Sequence, residues 1–155
     1  MRSISASATI RAPLSEVWAI LADTARYPEW SPFVVGIEGR IEVGETVTLI
    51  VAMHPGRAPI RQREKISMWD EGREIRWGVV MGHRVLLEAE RYQRLTRISE
   101  SETLYETSDG FSGALVPIVF ALYRDKIQAG FDATARALKA RAETQGTPRT
   151  ESVPQ

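Results

Sequence analysis

The sequence predicts an α+β domain in which a curved antiparallel sheet of seven strands wraps around a long C-terminal helix. One observation is a long amphipathic segment at residues 113–143, where apolar residues recur every three or four positions. The other is the alternation of apolar and polar residues, divided by short turn sequences, through most of the preceding chain. A helix of this length spans about 40 Å at ~1.5 Å per residue, so a broad sheet is needed to cover its apolar face.

The first elements are one strand and two short helices. Residues 4–11 alternate apolar and polar side chains, which is typical of a strand with one buried face. Pro13 ends this strand, and Ser15 is positioned to cap a short helix that ends near Asp23. That helix would turn four apolar side chains inward: Val17, Trp18, Ile20 and Leu21. Two prolines in residues 27–33 favour a second helical turn and a tight connection back to the sheet.

Six further strands follow, and each is bounded by turn residues. They are predicted at residues 35–41, 46–54, 60–69, 74–80, 84–96 and 103–108. Residues 54–59 are predicted to be a loop, and residues 109–113 a turn that leads into the long helix. We expect a meander, because sequential strands joined by short turns usually pair with their neighbours.

The C-terminal helix is predicted to lie across the sheet through a single stripe. Its members are Val116, Phe120, Tyr123, Ile127, Phe131, Thr134, Leu138 and Ala142. Pro117 suits the first turn of the helix, where no intrahelical N–H bond is lost. Gly130 costs about 1 kcal/mol relative to alanine in a helix interior, so we expect another group to pack closely against it.

Length and composition limit the domain organisation and the possible functions. A chain of 155 residues is expected to form one domain, at residues 1–143, followed by a polar tail at 144–155 that is predicted to be disordered or a linker. The absence of cysteine excludes disulfides and thiolate chemistry. Twenty basic residues balance twenty acidic ones, which argues against nucleic-acid binding.

The sequence also argues against metal, cofactor and membrane-spanning roles. His54 and His83 both lie next to turns and are too few for a metal site. No Gly-rich phosphate loop or GxSxG motif is present, so neither a nucleotide nor any other cofactor is expected. No segment approaches the ~20 apolar residues of a membrane span, and a cytoplasmic protein is therefore expected.

Three short motifs near the N-terminus resemble a known superfamily. IRAP at 10–13, VWAILAD at 17–23 and YPEWSPF at 27–33 are similar to the N-terminal signature of the SRPBCC superfamily, in particular its polyketide cyclase/dehydrase-like branch. Weaker similarities follow at residues 90–92, Glu106 and residues 111–113. The resemblance covers about residues 3–143, and many relatives carry a histidine where this chain has Arg91.

The resemblance implies a fold and a class of ligand. Relatives include START lipid-transfer domains and the birch pollen allergen, which share a helix-grip fold with a deep apolar cavity. Many members bind lipids, sterols, polyketides or other apolar molecules, and some are enzymes. A borrowed histidine-based acid/base role does not carry over to Arg91.

Aromatic and methionine residues from every part of the chain would converge around the helix in such a fold. Each alone is more simply explained as an ordinary core residue, but as a group they suit an apolar ligand pocket. The candidates for ligand contact are Trp30, Phe33, Met53, Trp77, Tyr105, Phe111, Phe120, Tyr123 and Phe131.

Three polar side chains are expected to face the same pocket. Strand alternation places Glu64, Arg91 and Gln93 on the side of their strands that also carries apolar residues. A buried charge is unfavourable unless it is paired. Either Arg91 and Glu64 form a buried ion pair across one intervening strand, or Arg91 binds a ligand carboxylate or phenolate while Glu64 acts as acid or base.

Three functions are compatible with these residues. The favoured one is a binding module that holds a small, largely apolar ligand of the lipid, polyketide or aromatic acid class between helix and sheet. The second is a cyclase or dehydratase that acts on a polyketide-like substrate in the same cavity, with Glu64, Arg91 and Tyr123 as catalytic candidates. The third is an interaction protein with a filled core. Binding without catalysis is favoured because no catalytic motif is present, and a monomer or homodimer is expected.

Overall fold

A seven-stranded antiparallel sheet and a long C-terminal helix dominate the computed structural model, which describes residues 1–145. The strands are β1 (Arg2–Ile10), β2 (Val34–Glu38), β3 (Thr46–Val51), β4 (Ile60–Asp70), β5 (Glu74–Met81), β6 (Leu87–Ser99) and β7 (Glu102–Ser112). The helices are α1 (Leu14–Ala22), α2 (Tyr27–Trp30) and α3 (Val116–Gln145), with a 3-10 turn at Thr24–Arg26. This confirms the predicted α+β helix-grip architecture.

The sheet is a meander with the first strand added at one edge. Strands β2 to β7 pair in sequence order, and β1 pairs with β7, which gives the order β1-β7-β6-β5-β4-β3-β2. The two short helices connect β1 at one edge with β2 at the other. Residues of one parity on β4 to β7 therefore point to the same side of the sheet, where α3 lies.

Helix α3 is anchored to the sheet through its C-terminal half. Phe131, Leu138 and Ala142 are buried on the predicted stripe, and α3 packs mainly on β1 and α1. The side chains of Gln128, near the middle of the helix, and Lys139, in its C-terminal half, donate hydrogen bonds to backbone carbonyls of β1 at 2.8 and 2.7 Å. Phe120 and Tyr123 in the N-terminal half are only partly buried. The helix therefore stands away from the sheet at that end.

Strand boundaries differ from the prediction where pairing overrides local turn signals. Strand β7 continues through Asp109 and Gly110 to Ser112, because β1 and β6 both pair with this segment. Strand β6 begins at Leu87 rather than at residue 84, because the backbone amides of Leu86 and Leu87 both donate to His83 O in a turn. The predicted Ser15 cap is wrong, since Pro13 holds the N-cap position of α1 without a side-chain hydrogen bond.

A β-bulge in β4 changes which side chains face inward. The pairing between β4 and β5 shifts between Ile66 and Met68. Met68 is consequently 37% exposed, although alternation places it on the same side as buried Ile66. Trp69 turns inward instead and packs edge-on against Trp18 of α1, with ring centroids 6.1 Å apart. The four residues expected to be buried on α1 are all buried.

The predicted polar tail overlaps the end of α3. Thr144 and Gln145 belong to that helix, and residues 146–155 lie outside the described residues.

Gly130 permits the closest packing between α3 and the chain that enters the sheet. A β-carbon at this position would overlap the ring of Phe33, which lies against the helix backbone. That ring also packs edge-on against Phe131, with centroids 5.9 Å apart. The close contact expected from the sequence at Gly130 is therefore confirmed, and it determines where the Phe33 ring lies.

Gly130→Ala is expected to displace the Phe33 ring while leaving α3 intact. The new methyl group occupies the ring's present position, whereas the helix itself gains about 1 kcal/mol of propensity. Thermal melts and a crystal structure of the variant would check this. A Gly130→Ala variant with an unmoved Phe33 ring would contradict it, and Gly130→Ala combined with Phe33→Ala provides a control in which the overlap is absent.

Candidate ligand-binding site

A cavity of about 380 Å³ lies between the sheet and the N-terminal half of α3. Most of the contact residues proposed from the sequence lie in its wall: Phe33, Met53, Glu64, Trp77, Arg91, Phe111, Tyr123 and Phe131. The sequence reasoning missed several aliphatic wall residues, among them Leu49, Val51, Val79, Leu87, Ala89, Val119 and Ile127. The wall is therefore mainly apolar, with few polar groups.

The cavity wall follows from strand parity and register. Trp77, Arg91 and Asp109 are cross-strand partners on β5, β6 and β7. Val79 on β5 and Ala89 on β6 also pair, two residues away from Trp77 and Arg91, so the adjoining part of the cavity wall is apolar. Glu64 enters from β4, with β5 between it and Arg91, as the alternation predicted.

Four of the proposed contact residues do not line the cavity. Tyr105 and Gln93 lie deeper in the fold, where the Tyr105 hydroxyl donates to Gln93 Oε1 at 2.7 Å. Trp30 packs against Tyr27, with centroids 5.2 Å apart. Phe120 packs edge-on against Phe111, with centroids 5.4 Å apart, and the guanidinium of Arg2 lies over the Phe120 ring. Each of these residues contributes to packing around the cavity rather than to its surface.

Arg91 is a buried cation without a carboxylate partner. Its Nε donates to Thr107 Oγ1 at 2.9 Å, and its guanidinium carbon lies 4.1 Å from the centre of the Phe131 ring. Its Nη2 is buried and has no hydrogen-bond partner within residues 1–145. None of the ion pairs of these residues includes Arg91, so a direct Arg91–Glu64 pair is not formed.

Asp109 is the site residue that sequence reasoning missed. Its position next to Gly110 suggested a turn, but it lies in β7, opposite Arg91. Its Oδ1 is buried and has no hydrogen-bond partner in the described chain. Continuing the alternation of Tyr105 and Thr107 by one more step would have placed Asp109 inward.

Burial alters the acidity of both carboxyl groups in the cavity. The pKa of Glu64 is raised to about 8, mainly by burial and then by the charge of Asp109, while Arg91 opposes the shift. The pKa of Asp109 is raised to about 7 by burial, again opposed by Arg91. Near neutral pH the cluster therefore holds one guanidinium and two carboxyl groups that can take up or release protons.

The mouth of the cavity lies between the β3–β4 loop, the end of β5 and the start of α3. Met81 lines the cavity and is 44% exposed, which locates the opening. His54 in the loop bonds Lys126 Nζ through its Nδ1 at 2.9 Å, and its ring lies 6.3 Å from that of Tyr123. The catalytic candidate Tyr123 thus lies at the mouth, next to His54, on the helix that closes the cavity.

The described residues contain no group of three or more histidine, cysteine, aspartate or glutamate side chains that could hold a metal ion. Within that part of the chain, no helix has the length and apolar character needed to cross a bilayer.

Comparison with known proteins adds a family and several structural neighbours. The family model described as polyketide cyclase / dehydrase and lipid transport matches residues 1–143. The Zhui aromatase/cyclase from Streptomyces is similar at 18% identity and a TM-score of 0.73, over 96% of this chain and 98% of that chain. A START superfamily protein from Mycobacterium smegmatis is similar at 16% identity and a TM-score of 0.69, over 92% and 98% of the two chains.

A plant enzyme shares the same fold. Norcoclaurine synthase from Thalictrum flavum, in complex with dopamine and hydroxybenzaldehyde, is 16% identical with a TM-score of 0.69, over 95% of this chain and 89% of that chain. Comparison with curated protein sequences finds no match. At these identities the structural neighbours establish the fold.

Proposed function

Because the chain belongs to the polyketide cyclase/dehydrase and lipid transport family, we propose that it binds a small, largely apolar molecule of the lipid, polyketide or aromatic acid class in the cavity between the sheet and α3. The observation that carries the proposal is the apolar cavity itself, whose wall includes one guanidinium nitrogen and one carboxyl oxygen without hydrogen-bond partners in the described residues. A filled core, which the interaction-protein hypothesis requires, does not fit this cavity.

The size and composition of the cavity support a small organic ligand. Ligand pockets usually enclose about 300–1,000 Å³ and combine apolar walls with a few placed polar groups. A cavity of about 380 Å³ lies near the lower end of this range. Burial of apolar ligand surface contributes about 25 cal/mol per Å², so a molecule of two or three fused rings, or a medium-length acyl chain, has enough surface to bind.

The neutral fluorescent probe N-phenyl-1-naphthylamine tests this proposal. The wild-type protein should bind it in the micromolar range, about 8 kcal/mol, and Val79→Trp should weaken binding more than tenfold by filling the cavity. The matched control is Val43→Trp, since Val43 is 54% exposed and lies outside the cavity. Absence of probe binding, or equal weakening by both variants, would refute the proposed site.

A second candidate function is proton transfer to a bound ligand, as in a cyclase or dehydratase acting on a polyketide-like substrate. The observation that favours it is the pair of cavity carboxyl groups with pKa values of about 8 and about 7. An acid or base acts most effectively when its pKa lies near the working pH. Ionised Asp109 would remove a proton next to a ligand carbonyl, while Arg91 or neutral Glu64 hydrogen-bonds the carbonyl oxygen as enolate character develops.

Hydrogen–deuterium exchange separates the two functions. If the protein transfers protons, the methyl protons of bound 2-acetylnaphthalene should exchange with heavy water faster in the presence of the wild-type protein than in the presence of the Asp109→Asn variant. If exchange in the presence of either protein equals that in buffer, while the ketone is shown to bind, the protein binds without catalysis.

A further inference from the structure

We infer that the polar end of the ligand is an uncharged group that carries a hydrogen-bond acceptor beside a donor, such as a primary amide, a protonated carboxylic acid or an enol, and that it bridges Arg91 and Asp109. This inference rests on the proposed function, because it names the chemistry recognised at the same cavity.

Arg91 supplies the requirement for an acceptor. A guanidinium group has only donors, and Nε already donates to Thr107 Oγ1. Nη2 is buried and forms no hydrogen bond within residues 1–145, although the guanidinium lies near the Tyr105 hydroxyl, which itself donates to Gln93. A buried donor without a partner is unfavourable, so an acceptor from a bound molecule would be stabilised there.

Asp109 supplies the requirement for a donor in its ionised form, which prevails above its pKa of about 7. An ionised carboxylate accepts hydrogen bonds only, and Oδ1 is buried without any partner in the described residues. Asp109 and Arg91 are direct cross-strand partners, but the two side chains do not form an ion pair. A head group with one acceptor and one donor, bound between the two side chains, would satisfy both unpartnered atoms.

The charge balance disfavours an anionic head group. The cavity wall already holds two carboxyl groups, Glu64 and Asp109, against the single guanidinium of Arg91. At pH 8.5 both carboxyl groups are mainly ionised, since their pKa values are about 8 and about 7. An entering carboxylate would then add a third negative charge around that cation, and like charges at close range repel strongly in a poorly solvated cavity. An uncharged group satisfies both unpaired atoms without changing the total charge.

The planar arrangement of the Arg91 donors favours a planar head group. Guanidinium N–H groups donate in the plane of the group, and the Arg91 guanidinium carbon lies 4.1 Å from the centre of the Phe131 ring, which helps to hold the side chain in place. A planar amide, acid or enol lies in that plane more readily than a tetrahedral alcohol or ether.

A matched set of naphthalene ligands tests the inference. At pH 8.5, 2-naphthamide should bind at least tenfold more tightly than methyl 2-naphthoate, which lacks the donor, and more tightly than ionised 2-naphthoate. Asp109→Leu should reduce amide binding to the level of the ester, while Asp125→Leu, which removes a carboxylate 95% exposed on α3, should have no effect. Tighter binding of 2-naphthoate than of 2-naphthamide by the wild-type protein would overturn the inference.

Asp109→Asn provides a second variant that keeps the shape of the side chain. Removing this acidic group should increase the affinity for ionised 2-naphthoate at pH 8.5 by about tenfold, since one fewer negative charge faces the ligand. The other titratable or charged groups that face the cavity are retained in this variant: Glu64 on β4, Arg91 on β6, Tyr123 on α3 and His54 in the β3–β4 loop. Loss of the Asp109 charge lowers the pKa of Glu64, which is already mainly ionised at pH 8.5. Unchanged or weaker naphthoate binding by Asp109→Asn would contradict the charge argument.

The two proposals fail in different ways. If N-phenyl-1-naphthylamine does not bind the wild-type protein, the cavity is not a ligand site and the proposed function fails. If the probe binds and is displaced equally by the amide and the ester, the proposed function stands and the head-group inference is wrong.

Discussion

Phe131→Ala should lower the free energy of unfolding by about 3–5 kcal/mol. Phe131 has no exposed surface, packs edge-on against Phe33, and supports the guanidinium of Arg91. Truncation removes these contacts and enlarges a cavity that already exists beside the ring. Chemical denaturation of the wild-type and variant proteins measures the difference.

The control for this prediction is another apolar residue on the same helix. Ile118 is 56% exposed, so Ile118→Ala should change stability by less than about 0.5 kcal/mol. If Phe131→Ala has an equally small effect, the stripe of α3 does not pack on the sheet as described.

Arg91→Leu should destabilise the protein strongly at high pH and weakly at low pH. Arg91 lowers the pKa of both cavity carboxyl groups, so its removal leaves Glu64 and Asp109 without a nearby cation. At pH 9 both carboxylates are ionised, and the loss should be about 3–5 kcal/mol, as for other buried charges left unpaired. At pH 5 both are protonated in the folded state, and the loss should be smaller. Thermal melts at the two pH values test this.

The direction of the effect follows from the raised pKa values. A carboxyl group with a higher pKa in the folded state binds its proton more tightly there than in the unfolded chain. For Glu64, the favourable contribution of the protonated carboxyl group to folding stability is complete below pH 4.5, the ordinary pKa of this group. That contribution is lost as the pH rises towards about 8. The corresponding interval for Asp109 runs from 3.8 to about 7. Removing Arg91 raises both pKa values further, so the loss of folding stability continues to higher pH.

A double variant separates charge from packing. If the unpaired carboxylate causes the destabilisation, Glu64→Gln in the Arg91→Leu background should recover part of the lost stability at pH 9. Equal losses at pH 5 and pH 9 would instead mean that Arg91 stabilises the fold through Thr107 and the Phe131 ring alone.

The fold could be predicted from the sequence because its signals are local. The stripe of α3 and the alternation in the strands are properties of neighbouring residues, and each points to the correct element. The bulge after Ile66 and the extension of β7 past Asp109 depend on pairing between strands distant in sequence. The turn chemistry of an Asp-Gly pair therefore misled the prediction at Asp109.

Strand parity determines the direction of a side chain but not the depth of a cavity. Arg91, Gln93 and Tyr105 all face inward as predicted, yet only Arg91 reaches the cavity surface. The extent of the cavity is limited by its wall, which includes Phe33 and Phe131, whose rings pack edge-on against each other. That limit depends on the packing of the helix against the sheet, and for Phe33 on the missing side chain of Gly130. Neither is visible in the pattern of a single strand.

The most direct test of the account is to locate a bound ligand by intermolecular nuclear Overhauser effects. With 2-naphthamide bound, the account predicts contacts from its ring protons to the methyl groups of Ala89, Val119 and Ile127, which line the cavity between sheet and helix. Contacts confined to the exposed methyl groups of Val43 or Ile98, which lie outside the cavity, would contradict the assignment of the cavity as the ligand site.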